Sequence, residues 1–141
     1  MEKPNVLFLC TGNTARSQMA EAFLKKYAGD RFEVYSAGYE PREIHPYTQQ
    51  VMAEVGIDIS DQYAKSVKDF LGKMEFRYLI IVCEKAEKTC PKAFPGVLVR
   101  MFWPFGDPGA AVGSEAEKLA KFRAVRDLIE EQIKSWLSQV T

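Results

Sequence analysis

The chain has 141 residues, 47% of them hydrophobic and 27% charged, which is the size and composition of a single globular domain over residues 1–141. Its 19 Lys and Arg residues balance its 19 Asp and Glu residues, a charge that argues against nucleic acid or an anionic membrane as a partner. The sequence holds neither an apolar run near the roughly 20 residues of a membrane span nor a signal-peptide core, so we expect a cytoplasmic protein.

The first predicted elements are a strand, a loop and a helix. Residues 5–10, NVLFLC, form an unbroken apolar run, which is typical of a strand buried on both faces. The helix is predicted from about Ser17 to Gly29. Its inward face should carry Met19, Ala22, Phe23 and Tyr27. Residues 32–38 then predict a second strand.

The middle of the chain predicts a second helix and a short helical turn. Residues 45–57 predict a helix with Pro46 in its first turn and Gly56 at its end. Its inward residues should be Val51, Met52 and Val55. His45 is expected to be a solvent-exposed residue at the helix start. Residues 65–73 predict the short amphipathic turn.

The last part of the chain predicts two strands and a long helix. Residues 76–83 form the most apolar run, typical of a central strand, and 96–103 predict the fourth strand. The helix should begin at Ser114, where Glu117 completes a capping-box pattern. Apolar residues at spacings of three and four then predict a stripe that faces the core: Leu119, Phe122, Val125, Ile129, Ile133 and Trp136.

Strands that alternate with helices predict right-handed crossovers and a parallel sheet. The predicted fold class is therefore α/β, with a four-stranded parallel sheet in a three-layer α/β/α arrangement. In such sheets, ligands bind beyond the carboxyl ends of the strands. Cys10 and Cys83 each end a predicted strand and Asp107 follows another, so we expect these three residues at one site.

The loop after the first strand has the pattern of an oxyanion-binding site. Between Cys10 and Arg16 lie five residues: Thr11, Gly12, Asn13, Thr14 and Ala15. Gly12 and Asn13 most readily take positive φ, which lets a short loop turn its N–H groups inward, beside the positive end of the next helix. Arg16 can hold two oxygens of a tetrahedral anion in a bidentate contact.

The positive field of this loop predicts a lowered pKa and a nucleophilic thiolate for Cys10. Ser17 is placed to donate a hydrogen bond to that thiolate. The alternative is an inert buried cysteine at a strand end, which is common in proteins. A nucleotide-type phosphate loop is excluded, because the chain has no G-x4-G-K-[ST] motif.

Asp107, within the sequence GDPG, is a candidate general acid that would protonate a departing oxygen above the loop. An Asp-Pro pair is also an ordinary turn signal. The aromatic residues before it are expected to shape this loop by packing; they are Phe102, Trp103 and Phe105.

The segment CEKAEKTC carries the other two cysteines, Cys83 and Cys90. Seven residues of helix rise about 10 Å, whereas a disulfide needs Cα atoms roughly 4.4–6.8 Å apart. A bond between the two would therefore require the segment to bend or partly unwind. Its small and charged residues, ended by Pro91, predict a movable element. The alternative is two unrelated thiols.

The chain offers no obvious metal site. It has three cysteines and a single histidine, His45, with no C-x2-C pair, so no tetrahedral zinc set is expected. An odd number of cysteines in a reducing compartment argues against a static disulfide framework. We therefore expect no metal and no cofactor.

Over nearly its whole length the sequence resembles the thioredoxin-coupled arsenate reductases, which are built on the low-molecular-weight protein tyrosine phosphatase fold. The segments that carry the resemblance are LCTGNTARSQMAE, VYSAG, EVGIDIS, VCEKAEKTCP, the Asp-Pro pair at 107–108 and FRAVRDLI. The C-x5-R-S loop belongs equally to the phosphatases, whereas the cysteines at 83 and 90 are specific to the reductases. The resemblance implies one reductase or phosphatase-like domain.

The resemblance also implies a role for each site residue. Cys10 would attack arsenate held by the loop 11–16, while Asp107 helps a water molecule to leave. Cys83 would then attack Cys10 as arsenite departs, and Cys90 would attack Cys83. Thioredoxin would reduce the resulting disulfide. Phosphate and sulfate are expected to compete with arsenate, and a monomer is expected.

One departure from the family concerns a monovalent cation. Some relatives bind such an ion near residues that match Asn13, Glu21 and Ser36, with an aspartate at the position of Lys65. In this chain the lysine ammonium is expected to replace the ion.

Two alternatives remain open. A phosphotyrosine phosphatase would use the nucleophile, the arginine and the general acid for phosphoryl transfer, with Cys83 and Cys90 protecting the nucleophile from overoxidation. Gly109 stands where such phosphatases usually carry tyrosine, which favours a small inorganic substrate. A non-catalytic oxyanion or redox sensor, or a phosphocysteine carrier, would need neither a general acid nor a two-cysteine relay.

Overall fold

The computed structural model describes residues 3–70, 72–90 and 96–140. Its strands are β1 (Asn5–Cys10), β2 (Glu33–Gly38), β3 (Phe76–Ile81) and β4 (Val97–Phe102). Its helices are α1 (Arg16–Ala28), α2 (Pro46–Glu54), α3 (Glu84–Thr89) and α4 (Glu115–Val140), with 3₁₀ turns at Val67–Asp69 and Pro108–Ala110. Each predicted strand and helix is therefore present near its predicted position.

The four strands form one parallel sheet in the order β2-β1-β3-β4, flanked by helices, which confirms the predicted fold class. The inner strands are the most apolar ones, since Leu7 and Ile80 are fully buried, as expected for strands covered on both faces. β4 lies at an edge, where Leu98 is exposed. Because all strands run the same way, their carboxyl ends meet at one edge of the sheet.

The long helix α4 covers the sheet with its apolar stripe. All six predicted stripe residues are buried, so their role is core packing, as predicted. Ser114 caps the helix: its Oγ accepts from the Glu117 N–H at 3.2 Å, and Glu117 Oε1 accepts from the Ser114 N–H at 3.3 Å. This reciprocal pair confirms the predicted capping box. Among the described residues, no helix is long and apolar enough to cross a membrane.

Tyr27 does not face the core, contrary to the prediction for α1. It is 37% exposed, and its hydroxyl donates to Glu130 Oε2 on α4 at 2.5 Å. Near the start of the helix, by contrast, three polar residues are buried: Ser17, Gln18 and Glu21. The spacing of apolar residues did not predict this burial, because these polar side chains pack behind the loop before α1 and not against the sheet.

His45 is half-buried, so the prediction of a solvent-exposed residue was wrong, although it does start α2. Its Nδ1 accepts from the Tyr47 N–H at 3.1 Å, which caps the helix. Its ring lies 4.7 Å from the Phe122 ring on α4, and burial lowers its pKa. The second helix ends at Glu54, two residues before the predicted Gly56, which adopts φ +80° just beyond the helix. Pro91, expected to end the movable segment, lies outside the described residues.

Candidate active site

The carboxyl edge of the sheet brings three of the predicted residues together. Cys10 ends β1, Cys83 follows β3, and Asp107 follows β4. All three line one cavity of about 630 Å³. The other residues that line it are Thr11, Gly12, Thr14, Ala15, Arg16, Glu40, Arg42, Glu84, Lys85, Pro104, Phe105 and Gly106. Cys90 is buried at the far end of α3 and is not among the lining residues.

The backbone of the loop forms a cup that can bind an anion. Each carbonyl oxygen of residues 10–15 accepts a hydrogen bond from a group behind the loop, at 2.8 to 3.3 Å. The donors are the N–H groups of Tyr39, Glu40, Arg42, His45 and Met19, the Gln18 amide and the Thr48 hydroxyl. In a planar trans peptide the next N–H points away from the carbonyl, so we expect inward N–H groups at the loop residues that line the cavity: Thr11, Gly12, Thr14, Ala15 and Arg16. Inward N–H groups of this kind bind oxyanions.

Asn13 holds the bend of this loop. It is fully buried and adopts φ +54°, as predicted. Its Nδ2 donates to Ser17 Oγ at 2.7 Å and to Ser36 Oγ at 3.0 Å, and its Oδ1 accepts from the Lys65 N–H at 2.9 Å. Gly12, which we also expected to be a residue of positive φ, is not one. The side-chain network of Asn13 therefore makes the left-handed turn.

Gly38, at the end of β2, lies against the same loop. A Cβ at this position would be 2.4 Å from the Thr11 carbonyl oxygen and 3.0 Å from the Asn13 nitrogen. The loop can approach the sheet this closely only because residue 38 has no side chain. Sequence analysis missed this role, since a glycine at a strand end is an ordinary turn signal.

Arg16 and Asp107 lie next to each other in the cavity lining. Arg16 Nη1 donates to the Phe105 carbonyl at 2.9 Å, and its Nη2 lies 3.9 Å from Asp107 Oδ1. The Asp107 side chain is half exposed, and its Oδ1 also accepts from the Gly109 N–H at 2.9 Å. The arginine is therefore oriented by the loop that carries the carboxyl group. Trp103 is buried against Phe8, which supports packing as the aromatic role in this loop.

The two cavity thiols form a hydrogen-bonded pair. The pKa of Cys83 is lowered to about 5, first because Cys10 donates to it and then because Thr11 and the Ala86 N–H also donate, with Arg16 nearby. Thr11 Oγ1 lies 3.5 Å from Cys83 Sγ. The pKa of Cys10 is raised, because it holds the proton of this pair and is buried. The two thiols therefore share one hydrogen-bonded site, and the predicted nucleophilic thiolate of Cys10 stays a prediction.

Ser17 is buried directly behind the loop of residues 11–16. Its Oγ accepts from Asn13 Nδ2 at 2.7 Å. A hydroxyl group that accepts one hydrogen bond still has its own proton to donate. The predicted donation to Cys10, and the catalytic roles of the other site residues, remain predictions.

Lys65 lies beside Glu21, as expected if its ammonium group replaces a cation there. Its Nζ donates to the Tyr63 carbonyl at 2.7 Å and lies 3.5 Å from Glu21 Oε1. The same Glu21 oxygen accepts from Ser36 Oγ at 2.5 Å. Burial lowers the pKa of Lys65. The ammonium group thus already faces the carboxylate that would otherwise attract an ion. Within 3–70, 72–90 and 96–140, no cluster of three or more His, Cys, Asp or Glu is placed to hold a metal.

Two supporting residues had no distinctive sequence signal. Gln18 Nε2 donates to both oxygens of Asn13, the backbone oxygen at 3.1 Å and Oδ1 at 2.9 Å. Thr48, on α2, donates to the Thr14 carbonyl at 2.9 Å. Both side chains lie on ordinary helices, so only their position in the fold reveals that they hold the loop.

Comparison with known proteins identifies a family and relatives that are similar to this chain. The family described as low molecular weight phosphotyrosine protein phosphatase matches residues 5–141. An arsenate reductase of Halalkalibacterium halodurans is 44% identical over 137 residues, which cover 96% of each chain.

Solved structures of arsenate reductases are also similar to this chain. One is of an arsenate reductase in the phosphate-binding state, with a TM-score of 0.78 and 29% identity, covering 98% of this chain and 99% of that one. Another is of a thioredoxin-dependent arsenate reductase of Corynebacterium glutamicum, with a TM-score of 0.69 and 27% identity, covering 97% of this chain and 61% of that one. The chain belongs to the low molecular weight phosphotyrosine protein phosphatase family, in the group that contains the bacterial arsenate reductases.

Proposed function

We propose that this enzyme reduces arsenate to arsenite through a relay of three cysteines and that thioredoxin reduces the final disulfide. The observation that carries the proposal is the thiol pair in the cavity: Cys83 is hydrogen-bonded to Cys10 at the base of an oxyanion cup. A phosphate-ester hydrolase needs one thiol there. A second thiol in contact with the nucleophile has a direct use in a reduction, because it can form a disulfide with it.

In the first step, arsenate lies in the cup with its oxygens on the loop N–H groups and on Arg16. Cys10 must lose its proton before it can attack, and the Cys83 thiolate is the acceptor already hydrogen-bonded to it. The Cys10 thiolate then forms a sulfur–arsenic bond, and one arsenate oxygen departs as water. Asp107, at the cavity mouth, supplies a proton to that oxygen.

In the second step, Cys83 releases to water the proton that it took from Cys10, and its thiolate attacks the sulfur of Cys10. The sulfur–sulfur bond forms as the sulfur–arsenic bond breaks, and its electron pair stays on arsenic, which leaves as arsenite. The two electrons thus come from the two thiols. The Ala86 N–H and Thr11 stabilise the attacking thiolate of Cys83.

In the third step, the thiolate of Cys90 attacks Cys83, and Cys10 leaves as a thiolate. The Cys83–Cys90 disulfide then passes to thioredoxin by thiol–disulfide exchange. This part of the proposal is supported by the solved thioredoxin-dependent relative and by the three free cysteines of the chain. Free thiols of this kind suit the reducing cytoplasm, where we expect the enzyme to act as a monomer.

The test is NADPH consumption in the presence of thioredoxin and thioredoxin reductase, with and without arsenate. We expect arsenate-dependent turnover by the natural protein and none by the Cys10→Ser variant. The Cys90→Ser variant should release arsenite once per molecule and then stop, since Cys83 has no partner to resolve its disulfide with Cys10. Multiple turnovers by that variant would break the relay.

Phosphatase activity is the second candidate, because the matching family is described as one of phosphotyrosine phosphatases. The same cup and Arg16 would bind a phosphate ester. Gly109 supplies no aromatic side chain to flank a phenyl ring, which favours the smaller inorganic anion. Brisk hydrolysis of an aryl phosphate without arsenate-dependent NADPH consumption would overturn our proposal in favour of this one.

A further inference from the structure

Helix α3, which separates Cys83 from Cys90, is held to the protein by few apolar contacts. Among its residues Glu84–Thr89, only Ala86 is buried. A helix of six residues is also far shorter than isolated helices need to be stable in water. Neither its own hydrogen bonds nor apolar burial therefore accounts for its docked position.

Arg100 supplies polar contacts to the end of this helix. It lies on the edge strand β4, and its side chain is only 17% exposed. Its Nη2 donates to the Glu87 carbonyl at 3.2 Å, to Glu87 Oε1 at 3.1 Å and to the Cys90 carbonyl at 3.4 Å. One guanidinium group thus joins β4 to the last turn of α3 and to the residue that caps it.

The same guanidinium lies beside the thiol of Cys90 and the hydroxyl of Tyr39. Burial and the neighbouring Cys90 raise the pKa of Tyr39, while the charge of Arg100 opposes that shift. The hydroxyl of Tyr39 is buried, as is Cys90. The residue that ends α3, the third cysteine, is therefore buried near two polar side chains, whereas most residues of the helix itself are exposed.

We propose that Arg100 is a positioning residue that latches α3 in the dithiol state and must release Glu87 and Cys90 before the Cys83–Cys90 disulfide can close. The proposal rests on the relay described above. Seven helical residues rise about 10 Å, and a disulfide requires Cα atoms within roughly 4.4–6.8 Å, so the last turn has to unwind or move. The three Arg100 contacts lie on that turn.

The latch sets how readily the disulfide forms. On oxidation by glutathione disulfide, the two thiols lose two protons and two electrons, and the oxidant becomes two glutathione thiols. The contacts of Arg100 with Glu87 and Cys90 stabilise only the dithiol side of this exchange, because they require the intact last turn. Loss of the latch therefore favours the disulfide and makes the reduction potential of the couple more negative.

The experiment measures the equilibrium of the Cys83–Cys90 couple against glutathione in the full chain with Cys10→Ser, which leaves two thiols. We expect Arg100→Gln to shift the equilibrium about tenfold toward the disulfide, equal to about 30 mV for a two-electron couple. Glu87→Gln, which keeps a similar helix propensity and removes one charge, should shift it less in the same direction. Arg77→Gln, an exposed arginine on β3, should leave the potential unchanged.

Equal potentials for the parent, Arg100→Gln and Glu87→Gln would overturn the latch while leaving the relay intact. If Arg100→Gln fails to fold by circular dichroism, Arg100→Lys and Glu87→Gln decide the question in the same assay. If mass spectrometry finds no bond between Cys83 and Cys90 in the parent at any potential, the relay itself is overturned.

Discussion

The loop of residues 11–16 and helix α3 both contribute residues to one cavity, but they are anchored in opposite ways. All the carbonyls of residues 10–15 are hydrogen-bonded to neighbouring elements, and Asn13 is fully buried. Helix α3 buries only Ala86 and is tied at its end by Arg100. The first region is anchored along its whole length, whereas the second is attached at few points.

This difference matches the two tasks that we propose for the site. Binding a tetrahedral anion requires N–H groups that already point inward, because any reorganisation would weaken the binding. Passing a disulfide from the cavity to thioredoxin requires a segment that can open at low cost. Changes in the loop should therefore act on binding and stability, and changes near α3 on the redox steps.

The largest expected effect in the loop comes from Arg16→Lys. A lysine cannot make the bidentate contact, so we expect kcat/KM for arsenate to fall on the order of 10²-fold or more. Arg42→Lys is the matched control, because Arg42 lines the same cavity and its N–H is the group that binds the loop. A loss of less than tenfold for Arg16→Lys would show that the loop N–H groups alone hold the anion.

Gly38→Ala tests the close approach of the loop to β2. The added Cβ would meet the Thr11 carbonyl at 2.4 Å, so backbone must move, and we expect a loss of about 2–3 kcal/mol in the free energy of unfolding. Urea denaturation measures this. The control is Gly106→Ala, whose Cβ would meet nothing within 4 Å. If both variants are equally stable, the loop of residues 11–16 is not anchored more tightly than helix α3.

Lys65→Met tests the charge that supports the loop from behind. Glu21 is 3% exposed and would lose an ammonium group 3.5 Å away while keeping Lys25, so we expect a loss of about 1–3 kcal/mol in stability. Lys68→Met, at an exposed position of the neighbouring 3₁₀ turn, should have little effect. The natural protein should melt at the same temperature in potassium and sodium salts; a strong and selective rise with potassium would contradict replacement of the ion by Lys65.

The smallest expected effect concerns the thiol pair where the two regions meet. Cys10→Ala removes the strongest hydrogen bond to the Cys83 thiolate, so the pKa of Cys83 should rise from about 5 by at least about one unit. Ultraviolet absorbance of the thiolate against pH measures it. In the natural protein the thiolate signal should persist down to about pH 5 and vanish below, because protonation occurs as pH falls through the pKa. Cys90→Ala should leave the curve unchanged; an unchanged curve for Cys10→Ala would show that Cys83 is ionised independently of Cys10.

Much of the fold was predictable because its signals are local. The unbroken apolar runs at 5–10 and 76–83 identified the two central strands, and the stripe on α4 identified its buried face. Tyr27 and His45 were misplaced because their exposure depends on what α4 places opposite them. Such contacts join residues far apart in the chain, and periodicity does not record them. The single domain and the monomeric state remain predictions.

The sequence by itself determined the chemical inventory of this protein: a cysteine and an arginine with five residues between them, two further cysteines, and an aspartate after the fourth strand. Each of these features can be read from residue type and from spacing within its own short segment. Only the tertiary structure decided that Asn13 rather than Gly12 makes the turn, that Cys10 and Cys83 line one cavity, and that Arg100 ties down α3. Each of these depends on burial and on hydrogen bonds between distant segments, which the chain acquires only when the sheet assembles.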